Sequence, residues 1–251
     1  MGVQDDMAVI AAARALESAH IPELPDPERT GVFLAVGYIP FEDADIEELA
    51  SQSFEQGSFS MERFSTTALR SMNPLLTFRC LSNMPAFHVS LAFGIQGPYF
   101  VTYPGPGQFY LALEAALDAL ASGRIDHALV GGTAHQRNAL VEHHFRRIEP
   151  PVPAGALQDA AGFLLLETAA SAGRRGSAGC GRLASLSVAF SAFDPWVESR
   201  EPSELFDGSA TAVEMGTASL PFALDLRKGA PLTHEIRTRD GIEASSVWEG
   251  P

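Results

Sequence analysis

The chain has 251 residues, of which 46% are hydrophobic and 19% are charged, so it has globular composition and is long enough to bury a core without disulfides or metals. Its 17 basic and 31 acidic residues give a net charge of −14, which disfavours nucleic acid and anionic membrane surfaces as partners. Only two cysteines are present, Cys80 and Cys180, too few for a secreted disulfide framework. The first ten residues contain acids where a signal peptide would carry basic residues, and no apolar run is long enough to span a membrane. We therefore expect a cytoplasmic protein.

Helical patterns and short buried strands alternate along the chain. The spacing predicts helices over 5–20, 44–51, 85–93 and 109–121, and strands over 31–37, 99–103, 127–132, 161–167 and 182–191. This alternation is typical of a layered α/β fold with helices on the faces of a sheet. We expect a surface loop after residue 51.

The same pattern is compatible with one domain over residues 1–251. Residues 196–219 are polar and rich in Gly and Ser, which indicates a loose connection. Residues 220–251 are predicted to form terminal strands, with Asp240-Gly241 as a hairpin turn.

Four segments carry a family resemblance through their order and spacing. They are Asn83–His88 (NMPAFH), Gly94–Pro98 (GIQGP), Gly123–Gly132 (GRIDHALVGG) and Asp159–Glu167 (DAAGFLLLE). Together they resemble the N-terminal half of the β-ketoacyl synthases, the thiolase-fold condensing enzymes of fatty-acid and polyketide assembly. The resemblance covers about residues 5–195. It implies a thiolase-like α/β/α fold in which the N-terminal half is largely kept and the C-terminal half is truncated.

In that family a cysteine nucleophile lies on a tight strand-to-helix turn, where a helix N-terminus and neighbouring histidines favour the thiolate. Its distances from the Gly-Pro and Gly-Gly motifs both point to position 106 in this chain, which is Pro106. No Cys, Ser or Thr occurs between Pro104 and Tyr110. The family's C-terminal catalytic residues also lack counterparts, because the single histidine beyond residue 144, His234, lies in a non-matching setting. We therefore expect no catalytic residue of the family in this chain.

A synthase-like chain without a nucleophile resembles the chain-length factor of type II polyketide systems, including the short forms that accompany polyene synthases. The resemblance implies a non-catalytic subunit that forms a heterodimer with a catalytic ketosynthase and lines its acyl tunnel, with no cofactor and no metal. Because acyl carrier proteins are acidic, we expect the carrier to dock mainly on the partner rather than on this acidic chain. Many chain-length factors place Gln at the nucleophile position, whereas Gln108 lies two residues later.

The resemblance also implies which residues reach the partner or the tunnel. The segment before Asn83 should project across the interface, with Leu75, Leu76 and Arg79 as tunnel-lining or gating candidates. The remaining tunnel or interface candidates are Met84, Phe100, Thr102, Gln108 and Phe109.

Several alternatives stay open from the residues alone. Cys80 could be a relocated nucleophile in a stand-alone small acyltransferase or ketosynthase, or the chain could be a homodimeric scaffold. His88 is interpreted as a structural histidine in an apolar helix. The adjacent His143 and His144 diverge on a helix, which favours a solvated or interface segment over a metal site. Residues 105–107 lack the pattern of a phosphate-binding loop.

Overall fold

The computed structural model describes residues 1–21, 24, 26–38, 41–104, 107–147, 151, 154–177, 179–190, 231–237 and 241–250. The predicted loose connection over 196–219, Pro106 and Asp240 lie outside the described residues.

A four-stranded mixed sheet forms the centre of the chain. Its strands are β1 (Thr30–Val36), β4 (Tyr99–Thr102), β5 (His127–Ala134) and β6 (Ala160–Glu167), in the order β4-β1-β5-β6. β1 runs parallel to β4 and β5, and β6 runs antiparallel to β5. Every residue of β1 and β5 is buried, which explains why their sequences read as continuous apolar runs.

Helices cover both faces of this sheet. On one face, α1 (Val3–Ser18) and α6 (Met84–Phe93) pack their apolar sides against β1, β5 and β6, where Ala8, Ala12 and Val89 are fully buried. On the other face lies α7 (Gln108–Ala121), whose Leu113 and Ala116 are fully buried.

A second, three-stranded antiparallel sheet packs on the far side of α7. It contains β7 (Arg182–Phe190), β8 (Leu232–Arg237) and β9 (Ile242–Glu249) in the order β7-β9-β8. Alternate residues of β9, namely Ile242, Ala244 and Trp248, face the α7 core, as the two-residue period of a strand requires. The order of layers is therefore helix, sheet, helix, sheet, and the predicted layered α/β fold is confirmed.

The segment after residue 51 is more regular than its sequence indicates. The helix predicted over 44–51 is present as α2 (Asp43–Ser53). It is followed by a short hairpin of β2 (Phe54–Glu55) and β3 (Ser58–Phe59), α3 (Met61–Arg63), a π-helical turn, α4 (Leu69–Ser71) and α5 (Leu76–Arg79). The loop prediction is wrong here because contacts between aromatic rings, such as Phe54 with Phe59 at 6.1 Å, order a Ser-rich sequence that lacks helical periodicity. The remaining helices are α8 (Ala139–Arg147) and α9 (Ala169–Arg175).

Ion pairs lie at the end of the central sheet where the strands β1 and β5 begin. Arg29 makes a two-point contact with Asp126, at 2.7 Å from Nε and 3.0 Å from Nη2, and this hydrogen bonding lowers the pKa of Asp126. The next residue, His127, is buried, and its Nε2 lies 3.7 Å from Glu167, which is itself paired with Arg175. Burial lowers the pKa of His127, although Glu167 and Asp126 act in the opposite direction.

This shift predicts a specific pH dependence of stability. Because the folded-state pKa of His127 lies below its ordinary value of 6.5, the unfolded chain takes up its proton first as the pH falls. The stabilising contribution of neutral His127 is therefore complete above about pH 6.5 and is lost below it. His127→Phe should show a smaller fall in the free energy of unfolding between pH 7 and pH 5 than the wild type, measured by urea denaturation. A control variant at the exposed His143, His143→Phe, should retain the wild-type fall, and an unchanged fall in His127→Phe would contradict the assignment.

Candidate functional site

The turn between β4 and α7 is held from both of its ends. On the β4 side, the buried Thr102 donates a hydrogen bond from Oγ1 to the backbone carbonyl of Gln108 at 3.0 Å. On the α7 side, Gly107 packs so closely on β9 that an added Cβ would lie 2.8 Å from Ile242. Side chains larger than hydrogen are excluded there, so the start of α7 is fixed against the second sheet.

Glycines of two of the motifs allow close packing between strands of the central sheet. A Cβ at Gly131 would lie 2.4 Å from the carbonyl oxygen of Gly162 on the neighbouring strand β6, and Gly132 pairs directly with Gly162. The Gly-Gly and Asp-Ala-Ala-Gly motifs therefore meet across the β5–β6 pair, where they allow close approach of two strands.

A buried chain of polar groups joins α7 to the terminal hairpin. The hydroxyl of Tyr110, which is fully buried, lies 2.5 Å from Nδ1 of His234 on β8, and the two rings are stacked. The same hydroxyl lies 3.4 Å from Oγ of Ser246, which accepts a hydrogen bond from Trp248 Nε1 at 3.0 Å. His234 is thus engaged by a tyrosine four positions after Pro106. The sequence analysis did not identify this pairing, because residues 110 and 234 share no motif.

Besides His127 and Glu167, two further acid–histidine pairs of the described residues lie outside this polar chain. Asp5 on α1 is buried, accepts a hydrogen bond from the backbone N–H of Gly2 at 2.9 Å, and lies 3.7 Å from His88 Nε2. Burial raises the pKa of Asp5, an effect that this hydrogen bond and His88 partly offset. His135 Nδ1 lies 3.0 Å from Asp159 Oδ1 near the end of β5. The contact with Asp5 agrees with the structural interpretation of His88.

Aromatic rings connect α8 to the edge of the sheet that leads into α7. Tyr38, which follows β1, lies 4.9 Å from the ring of His144 and 5.4 Å from that of Phe145. It also lies 6.3 Å from Tyr103, which follows β4. Among the residues that the structure describes, no group of three or more His, Cys, Asp or Glu side chains could hold a metal ion.

A cavity of about 300 Å³ lies beside the first half of α7, between this helix and the second sheet. This volume is at the lower end of the range of small-molecule pockets. Its lining consists of Gln108, Leu111, Glu114, Val188, Ala189, Phe190 and Ile242.

The structure separates the predicted tunnel residues into different environments. Leu75 is 64% exposed, whereas Leu76 is 4% exposed and faces the interior. Arg79 is committed to an ion pair with Asp45 on α2, with Glu42 at 3.5 Å, so its guanidinium is held within this chain. Met84 begins α6 and is half-buried.

Near the turn, three of the predicted residues come together. Thr102 and Gln108 are joined by the hydrogen bond described above, and Gln108 also lines the cavity. Phe109 is buried in the core between the two sheets, whereas Phe100 on the edge strand is 42% exposed.

Large apolar side chains are exposed along one continuous stretch of sequence. From α5 through β4, which we call the 75–100 segment, the exposed members are Leu75, Phe78, Leu81, Phe87, Leu91, Tyr99 and Phe100. Within the described sheets, β4 pairs with β1 alone, so the outer edge of β4 is open. Several exposed large apolar side chains and an open strand edge are both features of protein interfaces.

Cys80, which the sequence left open as an alternative nucleophile, is poorly suited to nucleophilic catalysis. Burial raises the pKa of its thiol, although the neighbouring Arg79 lowers it in part. A raised pKa reduces the fraction of reactive thiolate at neutral pH.

Comparison with known families and structures agrees with the resemblance noted from the motifs. The family model of the β-ketoacyl synthase N-terminal domain matches residues 1–154. A chain of the AntDE:AntF complex, a type II polyketide acyl-carrier protein with its ketosynthase bound to the hexaketide, superimposes with a TM-score of 0.73 at 14% identity, covering 99% of this chain and 84% of that one. A β-ketoacyl synthase from Burkholderia phymatum STM815 gives the same TM-score and identity over 100% of this chain and 83% of the other.

The ishigamide ketosynthase/chain length factor superimposes with a TM-score of 0.68 at 15% identity, covering 100% of this chain and 81% of the other. Comparison with curated protein sequences gave no match. The thiolase-like ketosynthase fold expected from the motifs is confirmed by these structural matches. In the part of the chain that the structure covers, no helix combines the length and apolar character needed to cross a bilayer.

The buried polar chain around Tyr110 makes a testable contribution to stability. Tyr110→Phe removes the hydroxyl, so that the partly buried His234 Nδ1 and the buried Ser246 Oγ lose this partner. We expect the free energy of unfolding to fall by about 1–2 kcal/mol, measured by denaturant titration. Tyr99→Phe, at an exposed position, is the matched control and should leave stability unchanged. Equal stability of Tyr110→Phe and the wild type would show that the contact contributes nothing.

Proposed function

Because the chain belongs to the β-ketoacyl synthase family, we propose that it is a non-catalytic subunit of the chain-length-factor type, which pairs with a catalytic ketosynthase and forms part of the wall of its acyl tunnel. The assembled complex would extend an acyl chain by condensation with malonyl units held on a carrier protein, in type II polyketide or fatty-acid-type synthesis. Catalytic cysteine and histidines would come from the partner.

The identity of residue 106 carries this proposal. Proline has no nucleophilic atom, and no Cys, Ser or Thr occurs between Pro104 and Tyr110 to replace it. Thr102 and Gly107 nevertheless fix the end of β4 and the start of α7 on either side of this position. A firmly held backbone around an inert residue is the arrangement expected of a subunit that supplies shape to a complex.

The 75–100 segment supports a partner subunit. It exposes seven large apolar side chains, and Tyr99 and Phe100 lie on the open edge strand β4. Exposure of this kind is costly in an isolated chain, and burial against a partner would recover about 25 cal/mol for each Å² of apolar surface removed from water. Permanent interfaces are larger and more apolar than transient ones, which fits a lasting heterodimer.

A role in the tunnel is supported by two further features. The cavity beside Gln108 and Leu111 lies at the first half of α7 and has an apolar lining on the side of the second sheet. Leu75, which is exposed, can contribute to a wall shared with the partner, whereas Leu76 is held inside this chain. Docking of the carrier mainly on the partner, and a cytoplasmic location for the complex, follow from the same proposal.

Acylation by a thioester tests the absence of a nucleophile. The isolated chain, incubated with an acyl thioester or a cerulenin-type epoxide, should gain neither an acyl group nor an epoxide adduct by intact-mass measurement. When the chain is co-expressed with its ketosynthase, the two should co-purify, and the acyl group should appear on the synthase alone. Acylation of the isolated chain at Cys80 would establish the alternative of a stand-alone acyltransferase and overturn the proposal.

Substitution of neighbouring leucines separates a tunnel role from a core role. Leu75→Trp should shift the product distribution of the complex towards shorter chains, because added bulk in a packed wall resists overfilling. Leu76→Trp should instead lower the free energy of unfolding by about 1–3 kcal/mol through overpacking. Products are measured by mass spectrometry and stability by thermal melting. Ile10→Trp, on the exposed side of α1, is the control for added surface bulk and should change neither. An unchanged product distribution in Leu75→Trp would remove this residue from the tunnel wall.

A further inference from the structure

The outer edge of β7 in the second sheet is open. In the order β7-β9-β8 this strand lies at one end, and in the part of the chain that the structure describes it pairs with β9 alone. A bulge interrupts the register between Leu183 and Ser185, and from Ser185 to Phe190 the pairing is regular. Because alternate residues of a strand direct their N–H and C=O groups to opposite sides, this stretch presents a row of unpaired backbone groups outwards.

The sequence of β7 lacks the features that normally protect an edge strand. The strand has nine residues, and the run Leu183–Phe190 contains neither a charged residue nor a proline. Its last residue, Phe190, is 71% exposed. The opposite edge strand of the same sheet, β8, carries His234, Glu235 and Arg237. A long, uncharged and exposed edge favours the addition of a further strand.

A groove lies beside this edge, between β7 and α7. The cavity described above has a buried end at Ile242 and an exposed end at Glu114 and Phe190. The proposed function uses its deeper part. We refer to the exposed end, together with the edge Ser185–Phe190, as the β7 groove. A strand added at this edge would place alternate side chains on the α7 side, where the cavity can receive one of them.

The helix side of the β7 groove is acidic. Glu114 lines the groove, and Asp118 follows one helical turn later on the same side of α7. Both side chains are exposed, and neither forms an ion pair with another described residue. Arg182, at the start of β7, is already paired with Glu249 at 2.5 Å. The β7 groove therefore combines an open strand edge and an apolar cavity with unpaired negative charge.

We propose that the β7 groove binds an extended segment of another protein, in which apolar residues alternate with lysine or arginine, as a fourth strand of the second sheet. Main-chain hydrogen bonds to the edge would supply affinity, and an apolar side chain would enter the cavity. Basic side chains would face Glu114 and Asp118. This inference goes beyond the proposed function, because it involves neither the 75–100 segment nor the heterodimer.

Charge argues against two other occupants of the β7 groove. A second copy of this chain carries the same net charge of −14, which opposes edge-to-edge pairing of two copies. Residues 191–230 of the chain contain seven acidic and three basic residues, so their composition does not complement an acidic groove. A basic and apolar segment of a different protein is the occupant that fits both the edge and the charge.

A synthetic peptide tests the inference on the full chain. The probe is a fluorescein-labelled nine-residue peptide that alternates valine and lysine, and fluorescence anisotropy at low salt should give a dissociation constant of about 1–100 μM. The same peptide with glutamate in place of lysine should not bind. Peptides N-methylated at every valine or at every lysine lose the backbone donors of one edge, and one of the two should bind about tenfold more weakly or worse.

Charge reversal in the β7 groove tests where the peptide binds. Glu114→Arg should raise the dissociation constant about fivefold or more. Glu17→Arg, the same change at an exposed position of α1, is the matched control and should leave the dissociation constant within about twofold. Hydrogen exchange measured by mass spectrometry should become slower in β7 when the valine–lysine peptide is bound, and should stay unchanged in β8.

The remaining outcomes overturn the inference. They are absence of peptide binding to the wild type, equal weakening in Glu114→Arg and Glu17→Arg, full binding of both N-methylated peptides, and unchanged exchange in β7. Analytical ultracentrifugation addresses a second copy: self-association that the peptide abolishes would assign the edge to that copy and overturn the inference as well. Failure of the chain to pair with a ketosynthase bears on the proposed function alone, because the titration uses the chain without a partner subunit.

Discussion

Burial of α7 on both of its sides is the constraint from which the remaining architecture follows. A helix between two sheets has to be apolar around most of its circumference, and small residues such as Ala112, Ala116 and Ala119 let both sheets approach it. The central sheet contributes Ala35 and Val130 to this core. The second sheet contributes alternate residues of β9, so the terminal hairpin is an integral part of the fold.

The contacts that fix the start of α7 are made by described residues on either side of position 106 and not by the residue at that position. The start of α7 is set by close packing at Gly107 and by the Thr102 hydrogen bond, and neither depends on the side chain at position 106. A change of residue at position 106 therefore need not unfold this region. This independence is compatible with the proposed function, in which the partner would supply the nucleophile.

Most of the central fold could be predicted from the sequence because its signals are local. The apolar runs at β1 and β5 and the helical periodicity of α7 indicate which residues are buried. The structure places these three elements within a few residues of the predicted bounds. The hairpin of Phe54 and Phe59 could not be predicted, because contacts between aromatic rings order it and no periodic pattern marks it. In the candidate site, adjacent residues such as Leu75 and Leu76 share a chemistry but differ in exposure, 64% against 4%, which sequence spacing alone does not resolve. The pairing of Tyr110 with His234 joins positions 124 residues apart and carries no motif.

Exposed apolar surface remains in the described part of the chain once the core is accounted for. The 75–100 segment is apolar, so association through it gains mainly from burial and is insensitive to salt, as in permanent interfaces.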